Sequence, residues 1–248
     1  MKTKLTVVLA FLLSAYLYGQ KNDLTKLNLK GNIKSIHESY YQIMQEKGKA
    51  QSEVLDLSYF NTFDKQGNKI EDIKYDSAGK IDKKYVYICD EQGKRTEQDQ
   101  YFSDGKLNRK IIYQYNEKGN VSEDISYNQE GQLEKKYTYK YDAEGNLMED
   151  MSFNAENKLQ KRFTYTYDIN GNRVENLRYS ADGKLNKKIN YIYDDKKNII
   201  QEITTNNDGS KTNYYFEYKY DNNDNWIKRT SFKERNPESS VVRKIEYY

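Results

Sequence analysis

The chain has 248 residues, of which 26 are Tyr and one is Pro, and charged residues make up 32% of it. This aromatic content excludes an intrinsically disordered chain, which would be poor in aromatic residues. The net charge of +3 is spread over a dense mixture of both signs, so a typical nucleic-acid binder, with its clustered basic excess, is excluded as well. Because aliphatic residues are scarce, Tyr must supply much of any buried surface.

The first element is a targeting segment over residues 1–19. Lys2 and Lys4 precede an apolar run from Leu5 to Leu13, and small residues follow. This order is typical of a secretory signal peptide, and the run is short for a membrane-spanning helix. We therefore predict cleavage near Gly19 and export to the periplasm, the cell surface or the exterior. The mature chain is expected not to span a membrane.

Residues 20–58 are interpreted as an N-terminal cap that contains a divergent copy of the repeat described next. Gly31-Asn32-Ile33 resembles the exit from a repeat turn, and alternating side chains follow as far as Tyr41. A longer insert is predicted over residues 44–50. Capping copies of this kind are expected at the ends of repeat arrays.

A period of 26 residues dominates positions 59–228. Glycines recur at this spacing at Gly67, Gly93, Gly119, Gly145 and Gly171. Each unit holds two turn signals, Asp-x-x-Gly-Asn and x-x-Gly-Lys-Leu, which is typical of antiparallel hairpins that follow one another. The sequence therefore predicts an all-β fold, a repetitive antiparallel β-meander with two strands in each unit. We expect a twisted open sheet of about a dozen strands that curls toward a spiral or half-barrel.

The turn glycines are predicted to adopt a left-handed conformation that closes each hairpin with a bulge. Asn157 replaces Gly in one turn, and Asn tolerates this conformation best after Gly. Lys197 and Asp224 replace Gly further along, so the repeat decays toward the C-terminus. Residues 229–248 are interpreted as capping strands, with a loop from Glu234 to Ser240 around the single Pro.

Period-two alternation predicts one aromatic face and one charged, solvated face. Symmetric pairing places Tyr141 opposite Leu147, Tyr139 opposite Glu149 and Tyr137 opposite Met151. Two charged rows are then assigned to the aromatic face: Glu71, Glu97, Glu123, Glu149 and Glu175, and Lys83, Arg109, Lys135, Lys161 and Lys187. We interpret them as cross-strand partners of each other or of Tyr hydroxyls, and a ligand groove or cation ladder is the alternative.

The phrase Tyr-x-Tyr-Asp-x-x-Gly-Asn, clearest at 139–146 and 165–172, resembles the YD repeats of bacterial RHS-type secreted proteins. The resemblance covers about residues 60–228. It implies a bacterial cell-surface or secreted β-repeat protein, with carbohydrate binding as one expected property. The chain departs from the large family members because its unit is longer and no toxin region follows the repeats.

The repeated unit contains no recognisable catalytic set, and we predict no cofactor and no metal site. His37 is the only His and is interpreted as a surface residue. Cys89 is the only Cys and is interpreted as a small, half-buried residue, with a reactive thiol or an intermolecular bridge as the alternative. No pair of carboxylates stands out as a glycosidase would require, so we predict a protein that is not an enzyme.

The predicted function is that of a non-enzymatic binding module for a carbohydrate or an envelope protein. The candidate ligand-binding residues are Tyr139, Tyr165, Tyr191 and Trp226. The alternative is a structural protein that assembles through open sheet edges, and a glycan-acting enzyme is less favoured. An outer-membrane barrel is disfavoured because neither face forms a charge-free apolar band. Further candidates lie where the repeat breaks: Cys89, Asn157, Lys197, Trp226 and the loop Glu234–Ser240.

Overall fold

The computed structural model describes residues 22–44 and 51–248, which form one short helix and sixteen β-strands. The helix α1 spans Asp23–Lys26, and the strands span β1 Ile33–Met44, β2 Ser52–Phe63, β3 Lys69–Tyr75, β4 Ile81–Cys89, β5 Arg95–Phe102, β6 Leu107–Tyr115, β7 Val121–Asn128, β8 Leu133–Tyr141, β9 Leu147–Asn154, β10 Leu159–Tyr167, β11 Arg173–Ser180, β12 Leu185–Tyr193, β13 Ile199–Asn206, β14 Lys211–Tyr220, β15 Trp226–Lys233 and β16 Asn236–Tyr247. The predicted signal peptide and the insert after Met44 lie outside the described residues.

The strands form one closed barrel in which each strand pairs with its neighbours in chain order and β16 pairs with β1. The all-β antiparallel meander is thus confirmed, but the open sheet or half-barrel is wrong. The first and last strands are both 12 residues long, and they pair antiparallel from Ile33↔Tyr247 to Gln42↔Ser239. Closure satisfies the backbone groups that an open sheet would leave at its two edges, so the edges required for assembly by strand addition are not present in the barrel.

Successive turns alternate between the two ends of the barrel, which we call the first mouth and the second mouth. The first mouth carries the Asp-x-x-Gly-Asn type of turn, as in residues 142–146. There the Asp142 carboxylate accepts a hydrogen bond from Asn146 N at 2.7 Å, and Gly145 has φ +84°. The left-handed position persists where Gly is replaced, with φ of +57° at Asn157 and +64° at Lys197. The turn chemistry read from the sequence is therefore correct.

Every hairpin of the barrel except β13–β14 contains a bulge that the symmetric pairing did not include. Tyr141 lies opposite Leu147 as predicted, but Lys140 lies opposite Glu149, so Met148 is an extra residue on β9. Tyr139 consequently faces Asp150 rather than Glu149. A shift of one residue exchanges the two faces of a strand, so the Glu row lies on the side of the sheet opposite to the Tyr rows.

The predicted loop Glu234–Ser240 is a tight turn, because β15 ends at Lys233 and β16 begins at Asn236. The first residue of the turn supplies the left-handed conformation, with φ +56°. Pro237 lies within β16, opposite Phe232, where the register shifts. A bulge tolerates the missing N–H donor of Pro, which explains how the strand continues through it.

The N-terminal segment, residues 22–32, crosses the first mouth. The Asp23 carboxylate accepts a hydrogen bond of 2.9 Å from Arg95 Nη2 on β5. Asn28 Nδ2 donates one of 2.8 Å to the Lys196 carbonyl in the turn between β12 and β13. These two contacts lie on opposite parts of the ring of strands, so the segment reaches from one side of the opening to the other.

A small apolar core lies beneath this segment. Leu24 is 6% exposed and packs with Ile36 and Phe63. Both strand residues share their side of the sheet with Asn61, whose partner on β3 is Asp72. Because a segment that crosses the mouth packs on this side, it is the side that faces the interior of the barrel. We call it the lumenal face, and the other side the outer face.

Candidate functional site

Tyr side chains line most of the lumenal face. In β8 this face holds Tyr137, Tyr139 and Tyr141, and the partners of the first two on β9 are Ser152 and Asp150. Equivalent positions on the other strands add more lumenal tyrosines: Tyr85, Tyr87, Tyr113, Tyr115, Tyr165, Tyr167, Tyr191, Tyr193, Tyr214, Tyr218 and Tyr220. The barrel therefore closes over its aromatic face and covers it without a partner.

Several lumenal tyrosines donate hydrogen bonds to carboxylates on the preceding strand. The Tyr139 hydroxyl bonds to Asp124 and the Tyr165 hydroxyl bonds to Asp150, and both acids are 8% exposed. Burial raises the pKa of both carboxyl groups, and the tyrosine hydrogen bonds oppose that rise. Tyr87 bonds to Asp72 at 2.7 Å in the same way. Perturbed acids can mark active sites, but repetition around the wall identifies these as part of the framework.

This row of acids was not predicted from the sequence. The signal was present, because Asp72, Asp124 and Asp150 each follow a Glu of the recurring row directly. Adjacent residues on a strand point to opposite faces, so only one acid of each pair could lie beside the tyrosines. Symmetric pairing selected the wrong acid.

The Glu row instead forms ion pairs on the outer face. Each Glu pairs with a basic residue 13 positions later: Glu71–Lys84, Glu97–Lys110, Glu123–Lys136, Glu149–Arg162 and Glu175–Lys188. The interpretation as cross-strand pairs is correct in kind, but its Lys and Arg partners are wrong by one residue because of the bulges. Lys83, Arg109, Lys135, Lys161 and Lys187 lie on the lumenal face toward the second mouth.

A cavity of about 620 Å³ lies at the first mouth, between two neighbouring turns. Tyr191 and Tyr193 line it together with Asp168, Asp194 and Lys197. The structure thus brings together two residues that the sequence singled out separately, Tyr191 and Lys197. The Asp168 carboxylate accepts hydrogen bonds from Asn172, which lower its pKa, so it is held ionised. Aromatic rings and amide groups are available to a polar ligand here.

The other candidates from the sequence lie elsewhere. Tyr139 and Tyr165 belong to the hydrogen-bonded rows described above. Trp226 is packed at the start of β15, with the Arg243 guanidinium 3.3 Å from its ring centroid and the Tyr218 ring at 6.0 Å, so at least one face of the indole is occupied. Cys89 is half-buried, and burial raises the pKa of its thiol, which disfavours the thiolate.

The fold and these rows define a class of protein: a closed barrel with a polar, tyrosine-lined lumen. Barrels of 16 to 18 strands are wide enough to leave an aqueous channel. Among residues 22–44 and 51–248, no helix has the length and apolar character needed to cross a membrane. In the same ranges, His, Cys, Asp and Glu nowhere cluster in a group of three that could hold a metal ion.

The chain belongs to a protein family described only as "Uncharacterised protein", whose model matches residues 19–191. No curated protein matches the chain. The resemblance to YD repeats is therefore wrong as a family assignment, because the matching family is a different one.

Among solved structures, the chain is similar to a porin-like protein from Bacteroides uniformis, with 12% identity, 88% of this chain and 98% of that chain covered, and a TM-score of 0.53. A porin-like protein from Bacteroides vulgatus has 12% identity, coverage of 85% and 97%, and a TM-score of 0.41. A chain of the Tc holotoxin pore from Photorhabdus luminescens has 14% identity, coverage of 77% and 12%, and a TM-score of 0.34. Only the first similarity is strong enough to carry an argument, and it concerns the fold.

Proposed function

We propose that this protein is a non-enzymatic barrel of the bacterial cell envelope that binds a carbohydrate at its first mouth. The observation that carries the proposal is the 620 Å³ cavity lined by Tyr191 and Tyr193 beside turn carboxylates and amides. Aromatic rings offer an apolar surface with a polar edge, and the amides of Asn170 and Asn172 supply both hydrogen-bond donors and acceptors for sugar hydroxyls. The signal peptide predicted from the sequence and the fold likeness to a porin-like protein support the envelope assignment.

A binding role fits the carboxylates at this site better than catalysis does. A general acid needs a raised pKa near the operating pH, whereas hydrogen bonds from Asn172 lower the pKa of Asp168. Asp194 accepts backbone hydrogen bonds of 3.0 and 2.7 Å from Lys196 and Asn198. Both acids are therefore committed to holding turns in place. An envelope protein as partner is the alternative.

A membrane-embedded pore is a less favourable reading of the same fold. Transmembrane barrels present an apolar band about 25 Å tall to the lipid. Here the outer face carries an ion pair in the middle of the wall in each unit, such as Arg162 Nε to Glu149 at 2.6 Å. Charged side chains in such positions are costly against lipid. We therefore propose that the barrel binds its ligand as an aqueous protein.

Calorimetric titration of the mature protein with neutral oligosaccharides tests the proposal. We expect Tyr191→Ala to weaken binding at least tenfold, which corresponds to about 1.4 kcal/mol. The matched control is Tyr215→Ala, because Tyr215 is 39% exposed on the outer face. Equal affinities of the two variants would contradict the assignment of the site. Ion conductance across planar bilayers with no saccharide binding would support a pore instead.

A further inference from the structure

We infer that Lys161, Arg178 and Lys187 form a site for the acidic groups of a polysaccharide at the second mouth, an inference that rests on the proposed carbohydrate function. The three residues lie on consecutive strands, β10, β11 and β12. The register places Lys161 opposite Ser152 and Arg178 opposite Lys187, all on the lumenal face. Neighbouring strands are about 4.8 Å apart, so the three cations line one patch of the inner wall.

The arrangement of charges within this patch is unfavourable without a ligand. Arg178 and Lys187 are direct cross-strand partners, and like charges in that position destabilise a sheet. Within residues 22–44 and 51–248, none of the three cations forms an ion pair, and Arg178 Nε is buried without a hydrogen-bond partner. The Arg178 guanidinium lies 5.9 Å from the Phe163 ring centroid, which holds it beside the other two. An anion would satisfy all three groups.

In two other units of the repeat, an acid at a hairpin bulge forms an ion pair with a lumenal cation. Lys74 lies opposite Lys83 but forms an ion pair of 2.6 Å with Asp82. Arg109 forms a bidentate pair with Glu134, at 2.7 Å through its Nε. Both acids are the extra residues of hairpin bulges.

In the units that carry the patch, the bulge residues are neutral. Gln160 and Asn186 occupy the positions of Asp82 and Glu134. The acid in the turn between β11 and β12, Asp182, is 2.8 Å from Lys184 and also accepts a hydrogen bond from Ser180. The patch therefore keeps its lumenal bases but lacks bulge acids like those that pair with Lys74 and Arg109, which leaves its cations free for an anion.

The patch and the proposed saccharide cavity share a strand. Tyr191 lies four residues after Lys187 on β12, a separation of about 13 Å along an extended strand. Both side chains point into the lumen. A saccharide chain that runs along the inner wall could stack on the tyrosine and place an acidic group at the cations.

The test compares an oligogalacturonate with its methyl-esterified form, which keeps the sugar and removes the charge. We expect the wild type to bind the acid at least tenfold more tightly than the ester. Lys161→Gln with Lys187→Gln should abolish this preference. The matched control is Lys211→Gln with Lys219→Gln, which changes the net charge equally at two exposed lysines on the outer face. Thermal unfolding of each variant verifies the fold.

The outcomes separate this inference from the proposed function. If both forms bind the wild type equally, or if the lumenal double variant keeps the preference, the anion site is refuted while carbohydrate binding stands. If neither form binds, the proposed function fails for this saccharide. The anion site is then judged by inorganic sulfate: thermal stabilisation of the wild type and the control, but not of the lumenal variant, supports it, and equal behaviour of all three overturns it.

Discussion

Tyr139→Phe is the most direct test of the lumenal framework, because it removes one hydroxyl and keeps the ring. The hydroxyl donates to Asp124, which is 8% exposed. A hydrogen bond to a charged group contributes about 1.5–3 kcal/mol, and its loss leaves a buried carboxylate without its donor. We expect the free energy of unfolding to fall by that amount at neutral pH. Urea denaturation monitored by circular dichroism measures it.

The effect should depend on pH in a defined direction. Burial raises the pKa of Asp124 and the Tyr139 hydrogen bond lowers it, so the variant's carboxyl has a still higher pKa. The folded variant then holds its proton over a wider range than the wild type, and its stability declines more as pH rises through that range. Below about pH 3 the acid is protonated in both states, and only a neutral hydrogen bond of about 0.5–1.5 kcal/mol is lost.

Two controls make the result interpretable. Tyr141→Phe alters the same face of the same strand, where within the described residues the hydroxyl has no hydrogen-bond partner, and it should change stability little. Tyr113→Phe removes a 3.0 Å hydrogen bond to the neutral Gln98 and the interaction of the hydroxyl with the Arg95 guanidinium. Neither partner changes its charge between acidic and neutral pH, so the cost of about 0.5–3 kcal/mol should not depend on pH in that range. If Tyr139→Phe matches Tyr141→Phe, or shows no dependence on pH, the account of the lumenal row is refuted.

Three further changes test the turns and the outer face. Gly145→Val places a β-branched residue at φ +84° and should destabilise the barrel by about 1–2 kcal/mol; an unchanged melting temperature would contradict the turn assignment. Lys197→Gly should stabilise by about 0.5–1 kcal/mol because Lys197 has φ +64°, and a lower melting temperature would count against it. Glu149→Gln should cost about 1 kcal/mol at neutral pH. Lys140 and then Arg162 lower the pKa of Glu149, so this difference should vanish as pH falls through the folded pKa, and a constant difference would exclude the ion pairs as its source.

The turns were predictable because their chemistry is local. A left-handed residue must follow the Asp within a few positions, and the carboxylate that holds the turn comes from the same segment, as in Asp142 and Asn146. Asn157 and Lys197 keep the left-handed conformation although neither is Gly, which means that the hairpin geometry overrides residue preference. The 26-residue period and the type of turn were together sufficient to predict an all-β meander.

The faces of the strands were harder to predict because one bulge residue reverses them. Met148 on β9 and Gln160 on β10 each add a residue without a partner, and the two shifts fall at opposite ends of the barrel. The turn sequences predicted a bulge in each hairpin. The predicted strand pairing was nevertheless symmetric and did not include the one-residue shift that a bulge causes. Closure was not predictable from the repeat, because the contact of β1 with β16 joins residues about 200 positions apart.

The regular units of the repeat and the proposed binding sites lie on different strands of the barrel. On β6 to β9, where the unit is regular, the lumenal Arg109 forms an ion pair with Glu134 and the lumenal Asp124 accepts a hydrogen bond from Tyr139. On β10 to β13 the unit loses the Gly at position 197 and the acids at the bulges, and the same strands carry the cavity at Tyr191 and the unpaired cations. These strands still pair in the register of the barrel, but among the described residues their lumenal cations have no acid as a partner. Those cations are therefore free to interact with a ligand. A ligand along β12 would meet both sites.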